Sequence, residues 1–171
     1  VAVDLQDTVI PVGLRAIETT PTVREAVVLL ALLDEFDATG WLSYQCRDGR
    51  STAAGEPIAD AIGAGAGIAG LVAIGVNCTA PRHLPALIDA ARTATDLPLI
   101  AYPNGGDRWD PEARTWIAED GSGFDPTTTA SWTELGATWL GGCCGTGPSE
   151  ITALARAIGR QAPSPGAATN R

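Results

Sequence analysis

The sequence predicts an α/β fold in which a parallel sheet is wrapped by helices. Three observations predict it. Short β-branched or apolar runs alternate with amphipathic stretches along the 171 residues. Five such strand-helix units follow one another without a convincing internal repeat. Residues able to do chemistry fall at or just after the predicted strand ends, and a parallel sheet collects such positions on a single rim.

The first strand is predicted at Leu14–Thr19, and Thr20-Pro21 leads into a helix whose Val23, Ala26, Val27, Leu30 and Leu33 recur at helical spacing. Trp41–Cys46 reads as the second strand. A turn-rich connection through Arg47-Asp48-Gly49 and Gly55-Glu56-Pro57 then leads to a short, glycine-loosened helix near Ile58–Ala66. Leu71–Asn77 is a continuous apolar run of the kind buried on both faces. Its helix starts after Pro81 and carries Leu84, Leu87, Ile88 and Ala91. Leu97–Tyr102 is the fourth strand, followed by a polar loop over 105–125 long enough to suggest a function. A helix at Thr127–Leu135 stops at Gly136, Ala137–Leu140 is the fifth strand, and Ser149–Arg160 is the last helix. Residues 161–171 read as a disordered tail, which leaves one domain over 14–160 preceded by a distinct segment, 1–13.

Composition narrows the function classes. Twenty acidic residues against 11 Lys plus Arg, the latter scattered, leave no footprint for nucleic acid. No run approaches a membrane span and none resembles a signal peptide, so the expectation is a cytoplasmic protein with reduced cysteines. Gly63-Ala64-Gly65-Ala66-Gly67 lacks the lysine of a P-loop and the ordered dinucleotide fingerprint, which argues against a nucleotide.

The chemistry concentrates in sulfur. Gly75-Val76-Asn77-Cys78 and Gly141-Gly142-Cys143-Cys144 end the third and fifth strands. Taken alone, these cysteines fit three convergent metal ligands, buried packing thiols or, for the adjacent pair, a strained vicinal disulfide. Cys46 reads as a packed thiol, and His83 at a helix start as an exposed or capping residue. Glu18 admits a helix-capping role. Trp109 and Trp116 offer either loop packing or an aromatic wall for a cation.

Glu18-Thr19-Thr20-Pro21, Gly75-Val76-Asn77-Cys78, Tyr102-Pro103-Asn104 and Gly141-Gly142-Cys143-Cys144, in this order and spacing, resemble the homocysteine S-methyltransferase family. The resemblance runs from Leu14 to Arg160 and is nearest to the smaller members that use S-methylmethionine or S-adenosylmethionine. It implies a (β/α)8 TIM barrel, of which this chain carries the last five βα units. It also implies a Zn2+ ion held by Cys78, Cys143 and Cys144, the homocysteine amino group on Glu18, and a pocket shaped by Asn77 and Asn104. The implied reaction moves a methyl group from a sulfonium donor to the homocysteine thiolate, giving methionine.

A complete barrel of this type needs about 250 residues. An open five-stranded sheet would expose two edges and an apolar inner face, and Arg15 is an unusual charge for a strand covered on both sides. Two expectations follow: self-association or pairing with a complementing N-terminal half, or a non-catalytic zinc-binding or assembly module.

Overall fold

The computed structural model describes residues 2–4, 13–110, 112–118 and 123–159. The tail expected over 161–171 lies outside the described residues. The main sheet has six strands: β1 (Ala2–Asp4), β2 (Arg15–Thr20), β3 (Gly40–Tyr44), β4 (Leu71–Asn77), β5 (Leu99–Tyr102) and β8 (Ala137–Gly141), while β6 (Arg108–Asp110) and β7 (Thr115–Ile117) form a separate hairpin. The helices are α1 (Val23–Glu35), α2 (Ile58–Gly63), α3 (Leu84–Arg92), α4 (Pro126–Ser131) and α5 (Pro148–Ala157).

Strands β2, β3, β4, β5 and β8 lie side by side in chain order, each parallel to the next. Monotonic order matters because crossovers of one hand then place every helix on the same face. The burial bears this out. Ala26, Leu30 and Leu33 of α1, Ile58 and Ile62 of α2, Leu87 and Ile88 of α3 and Leu154 of α5 all join one core with Leu42, Ile74, Val76 and Leu140 of the sheet. The opposite face carries a smaller cluster of Ala73, Ile100, Tyr102 and Trp139, with Leu14, Trp41, Val72 and Cys143 against it and, among the described residues, no helix packed on it. A one-sided, singly wound sheet is a segment of a (β/α) barrel, and the second cluster is that barrel's inner face.

The elements form where local chemistry permits. Thr22 caps α1 by accepting from the Glu25 N–H, and both oxygens of Glu56, 33 residues on, accept from the Val23 N–H. Glu56 therefore pins the connection after β3 to the start of α1, satisfying a donor that every helix start leaves open. In β4, a Cβ added to Gly75 would collide with the Ile100 carbonyl, so only glycine lets β4 and β5 close at that point.

Several sequence expectations change. Val27 sits on the solvent side of α1, 49% exposed, because the buried stripe runs through Ala26, Leu30 and Leu33. The second strand ends at Tyr44, and Cys46 forms an isolated bridge with Thr52 beyond it. The helix after Pro57 stops at Gly63, and the one after Asp125 at Ser131, each continuing as turns. The long loop contains the β6–β7 hairpin, with Trp109 opposite Trp116. Among the described residues only one edge of the five-stranded sheet is open: β1 pairs antiparallel with β8, Val3 opposite Leu140. The open edge is β2, which explains Arg15; it lies exposed there, its guanidinium donating to the Gly13 carbonyl.

Candidate metal centre

The ends of β4, β5 and β8 meet on one rim and bring three sulfurs together. Cys78, Cys143 and Cys144 offer Sγ atoms that all lie within 4.8 Å of one another, and Cys78 and Cys144 are 3.6 Å apart. A zinc–sulfur bond of about 2.3 Å in a tetrahedral site puts neighbouring sulfurs roughly 3.8 Å apart, so the trio already stands near ligand spacing. The donor set is uniformly soft, which suits zinc over the hard cations. Three ligands leave a fourth position open, the arrangement of a reactive rather than a purely structural site.

Backbone contacts hold this arrangement. Cys78 donates its N–H to the Tyr102 carbonyl at 3.1 Å, Cys143 to the Pro103 carbonyl at 2.7 Å, and Gly105 to the Cys144 carbonyl at 2.6 Å. The Tyr102–Gly105 segment is thus clamped between both sulfur-bearing strand ends. Thr146 closes the turn after the pair, donating from its N–H and its hydroxyl to the Cys143 carbonyl. Gly145 takes φ +76°, a left-handed conformation open to glycine. Cys78 itself is left-handed at φ +46°, an uncommon conformation for a side-chain-bearing residue that re-aims the chain as it leaves β4.

The sulfurs are electrostatically unequal. Hydrogen bonding from Cys78 draws the Cys143 thiol down to about 6, against burial, which pushes the other way. Cys78 moves far up for the reciprocal reasons, its bond to Cys143 first and burial second. Of this pair, Cys143 is therefore the sulfur whose thiolate is favoured. Cys46 takes no part. It packs in the helix-side core, and burial followed by the nearby Asp48 pushes its thiol up to about 12.

Asn77 and Asn104 are both buried and both engaged with backbone. The Asn77 side-chain carbonyl accepts from the Thr19 N–H at 2.9 Å, and its amide faces Thr19 Oγ1 at 2.8 Å and Cys143 Sγ at 3.9 Å. Asn104 Oδ1 accepts from the Gly106 N–H at 2.9 Å. Glu18 is exposed on the inner face and caps no helix, that role belonging to Thr22; its Oε1 accepts from the Tyr102 hydroxyl at 3.0 Å. Trp109 and Trp116 meet edge to face with ring centroids 5.3 Å apart, and both remain partly exposed. His83 is half-buried at the start of α3, outside the sulfur cluster. Sequence reasoning missed Tyr102, Ser43 and Glu56. Tyr102 alone carried a signal, its place in Tyr102-Pro103-Asn104. No helix among the described residues is long and apolar enough to cross a membrane.

Comparison with known proteins converges on one family. The family model for homocysteine S-methyltransferase matches residues 10–158. Homocysteine S-methyltransferase YbgG of Bacillus subtilis (strain 168) is 37% identical over 147 residues, which cover 84% of this chain and 47% of that protein. Selenocysteine Se-methyltransferase of Brassica oleracea var. italica is 36% identical, covering 81% and 41%. Among solved structures, the metallated form of the homocysteine methyltransferase MmuM from Escherichia coli superposes with a TM-score of 0.69 at 33% identity, over 83% of this chain and 44% of that one. The chain thus spans less than half the length of each of these relatives.

Proposed function

Because the chain belongs to the homocysteine S-methyltransferase family, we propose that its rim of sulfurs binds zinc and takes part in methyl transfer from a sulfonium donor to the thiol of homocysteine, giving methionine. The observation that carries this reading is the convergence of Cys78, Cys143 and Cys144 from two distant stretches of chain. The donor is S-methylmethionine or S-adenosylmethionine.

Bound zinc would supply a cation that keeps the substrate sulfur a thiolate at neutral pH, where a free thiol is mostly protonated. Cys78, Cys143 and Cys144 hold that cation, and the clamped Tyr102–Gly105 segment fixes their separation. Glu18 binds the homocysteine ammonium group. Asn77 and Asn104 shape the pocket indirectly, each freezing the backbone beside a strand end. No strong general acid is required, since a sulfonium donor departs as a neutral thioether once its methyl carbon is attacked. That accords with a site in which sulfur and carboxylate, rather than histidine, face the rim. The Brassica oleracea relative is named for transfer to selenocysteine; a soft chalcogen acceptor is the common thread with the site described above.

A specific surface supports pairing with a complementing N-terminal half. Beside the open edge of β2, α1 and its C-cap residue Phe36 present Val27, Val28, Leu32 and the Phe36 ring to solvent, Phe36 with 71% of its surface exposed. On this reading a complementing N-terminal half docks against that surface and completes the pocket beside the sulfurs.

The test is zinc-loaded chain incubated with homocysteine and each donor in turn. Methionine above the level of a Cys143→Ser control supports transfer by the chain itself. Methionine formed only after adding an N-terminal half supports the composite site. Absence of zinc binding refutes both.

A further inference from the structure

The inner face holds a hydrogen-bonded relay that the proposed chemistry does not yet use. Tyr102 Oη lies 3.0 Å from Trp41 Nε1, 2.5 Å from Ser43 Oγ and 3.0 Å from Glu18 Oε1. Tyr102 stands on β5, Trp41 and Ser43 on β3, and Glu18 on β2, so the phenol reaches across β4 to two strands beyond. It can do so because the part of β4 between them turns the small Ala73 and Gly75 toward this face, its larger Ile74 and Val76 belonging to the helix side.

The proton directions are determined by valence. An indole N–H only donates, and a carboxylate only accepts. Tyr102 has one proton, which goes to Glu18; Ser43 must then donate to Tyr102, alongside Trp41. All three donors point one way, and each bond polarises the next. Ser43 and Tyr102 are buried, which keeps water from competing, while Glu18 at the end of the relay is exposed. Among the described residues, its second oxygen has no hydrogen-bond partner.

We propose that Tyr102 is a positioning residue: backed by Trp41 and Ser43, it fixes one oxygen of Glu18 so that the carboxylate stands ready for a primary ammonium group of the acceptor. The inference rests on the reading of Glu18 as the homocysteine amino-group ligand. It adds that recognition of the ammonium depends on a buried hydroxyl on a different strand, 84 residues away in sequence.

The experiment compares two thiols by calorimetric titration of the zinc-loaded chain: homocysteine, and 4-mercaptobutanoate, which lacks only the amino group. Wild type binds homocysteine more tightly. Tyr102→Phe, which keeps the ring and deletes the hydroxyl, weakens homocysteine about tenfold, the lower end for a hydrogen bond to a charged group, and leaves 4-mercaptobutanoate unchanged. Should Tyr102→Phe fail to fold because Ser43 is left unpartnered, Tyr102→Phe/Ser43→Ala removes both polar groups and reads the same ratio. Equal weakening of both thiols, or of neither, overturns the positioning role while leaving the Glu18 reading intact. A wild type that does not distinguish the two thiols, or binds neither, overturns the Glu18 reading and this inference with it.

Discussion

The two faces of the sheet follow different rules. The helix side is an apolar interior in the ordinary sense, with Leu30, Leu42, Ile58, Ile74, Leu87 and Leu140 excluded from water by five helices. The inner side buries aromatic bodies but threads polar atoms between them: Trp41 against Trp139 with centroids 6.1 Å apart, and the Tyr102 hydroxyl among Ser43, Trp41 and Glu18. The same strands supply both faces by alternation. The difference teaches that stability and chemistry are drawn from opposite faces of the same strands, so that in a regular stretch such as Leu99–Tyr102 substitutions one position apart affect different properties.

The largest effect that would test this separation is at the sulfurs. Cys143→Ser removes one of the three proposed ligands and should abolish high-affinity zinc binding, measured by chelator competition, while the circular dichroism melting curve of the metal-free chain stays within a few degrees of wild type. Loss of folding with loss of zinc would break the comparison. Leu87→Ala is its mirror image. Truncating this fully buried side chain should cost about 2–5 kcal/mol in urea unfolding, with no change in zinc affinity measured under native conditions.

Asn77→Ala crosses the boundary, because Asn77 bonds Thr19 and faces Cys143. It should cost about 1–3 kcal/mol of stability by stranding the Thr19 N–H and also weaken zinc roughly tenfold, as loss of an outer-shell partner does; an effect on only one of the two would place Asn77 wholly on one side. Acidity gives a smaller change per unit. Cys78 is shifted upward and keeps its proton at neutral pH, so that proton must leave when a cation binds. Zinc affinity should therefore rise with pH by about tenfold per unit for each proton displaced, and a flat profile from pH 6 to 8 would exclude Cys78 as a ligand. The smallest effect belongs to the outer surface of α1. Phe36→Ser should change stability by less than about 0.5 kcal/mol and weaken binding of an added N-terminal half in analytical ultracentrifugation; unchanged binding would show that the exposed stripe is not the pairing surface.

Much of the helix side was legible beforehand. The run Leu71–Asn77 was read with the bounds that the strand has, since a strand buried on both faces leaves an uninterrupted apolar signature. Pro148 starts α5 as its fixed φ favours. The β6–β7 hairpin was not legible, because three-residue strands are too short to display a period, and its pairing rests on Trp109 meeting Trp116. Nor was the antiparallel β1, whose place is set by an otherwise open edge of β8. Val27 was misassigned because adjacent helical positions are about 100° apart, and periodicity alone does not settle which of Ala26 and Val27 faces the sheet.

The sequence by itself determined the succession of the five strand-helix units, the rim on which chemistry collects and the three cysteines placed there, because local periodicity and short motifs carry that information. Only the tertiary structure decided which side chains touch. That Tyr102 reaches Glu18 and that Asn77 ties Thr19 to Cys143 depends on the register of strands distant in sequence. A slip of one residue in any of them would turn these groups to the opposite face.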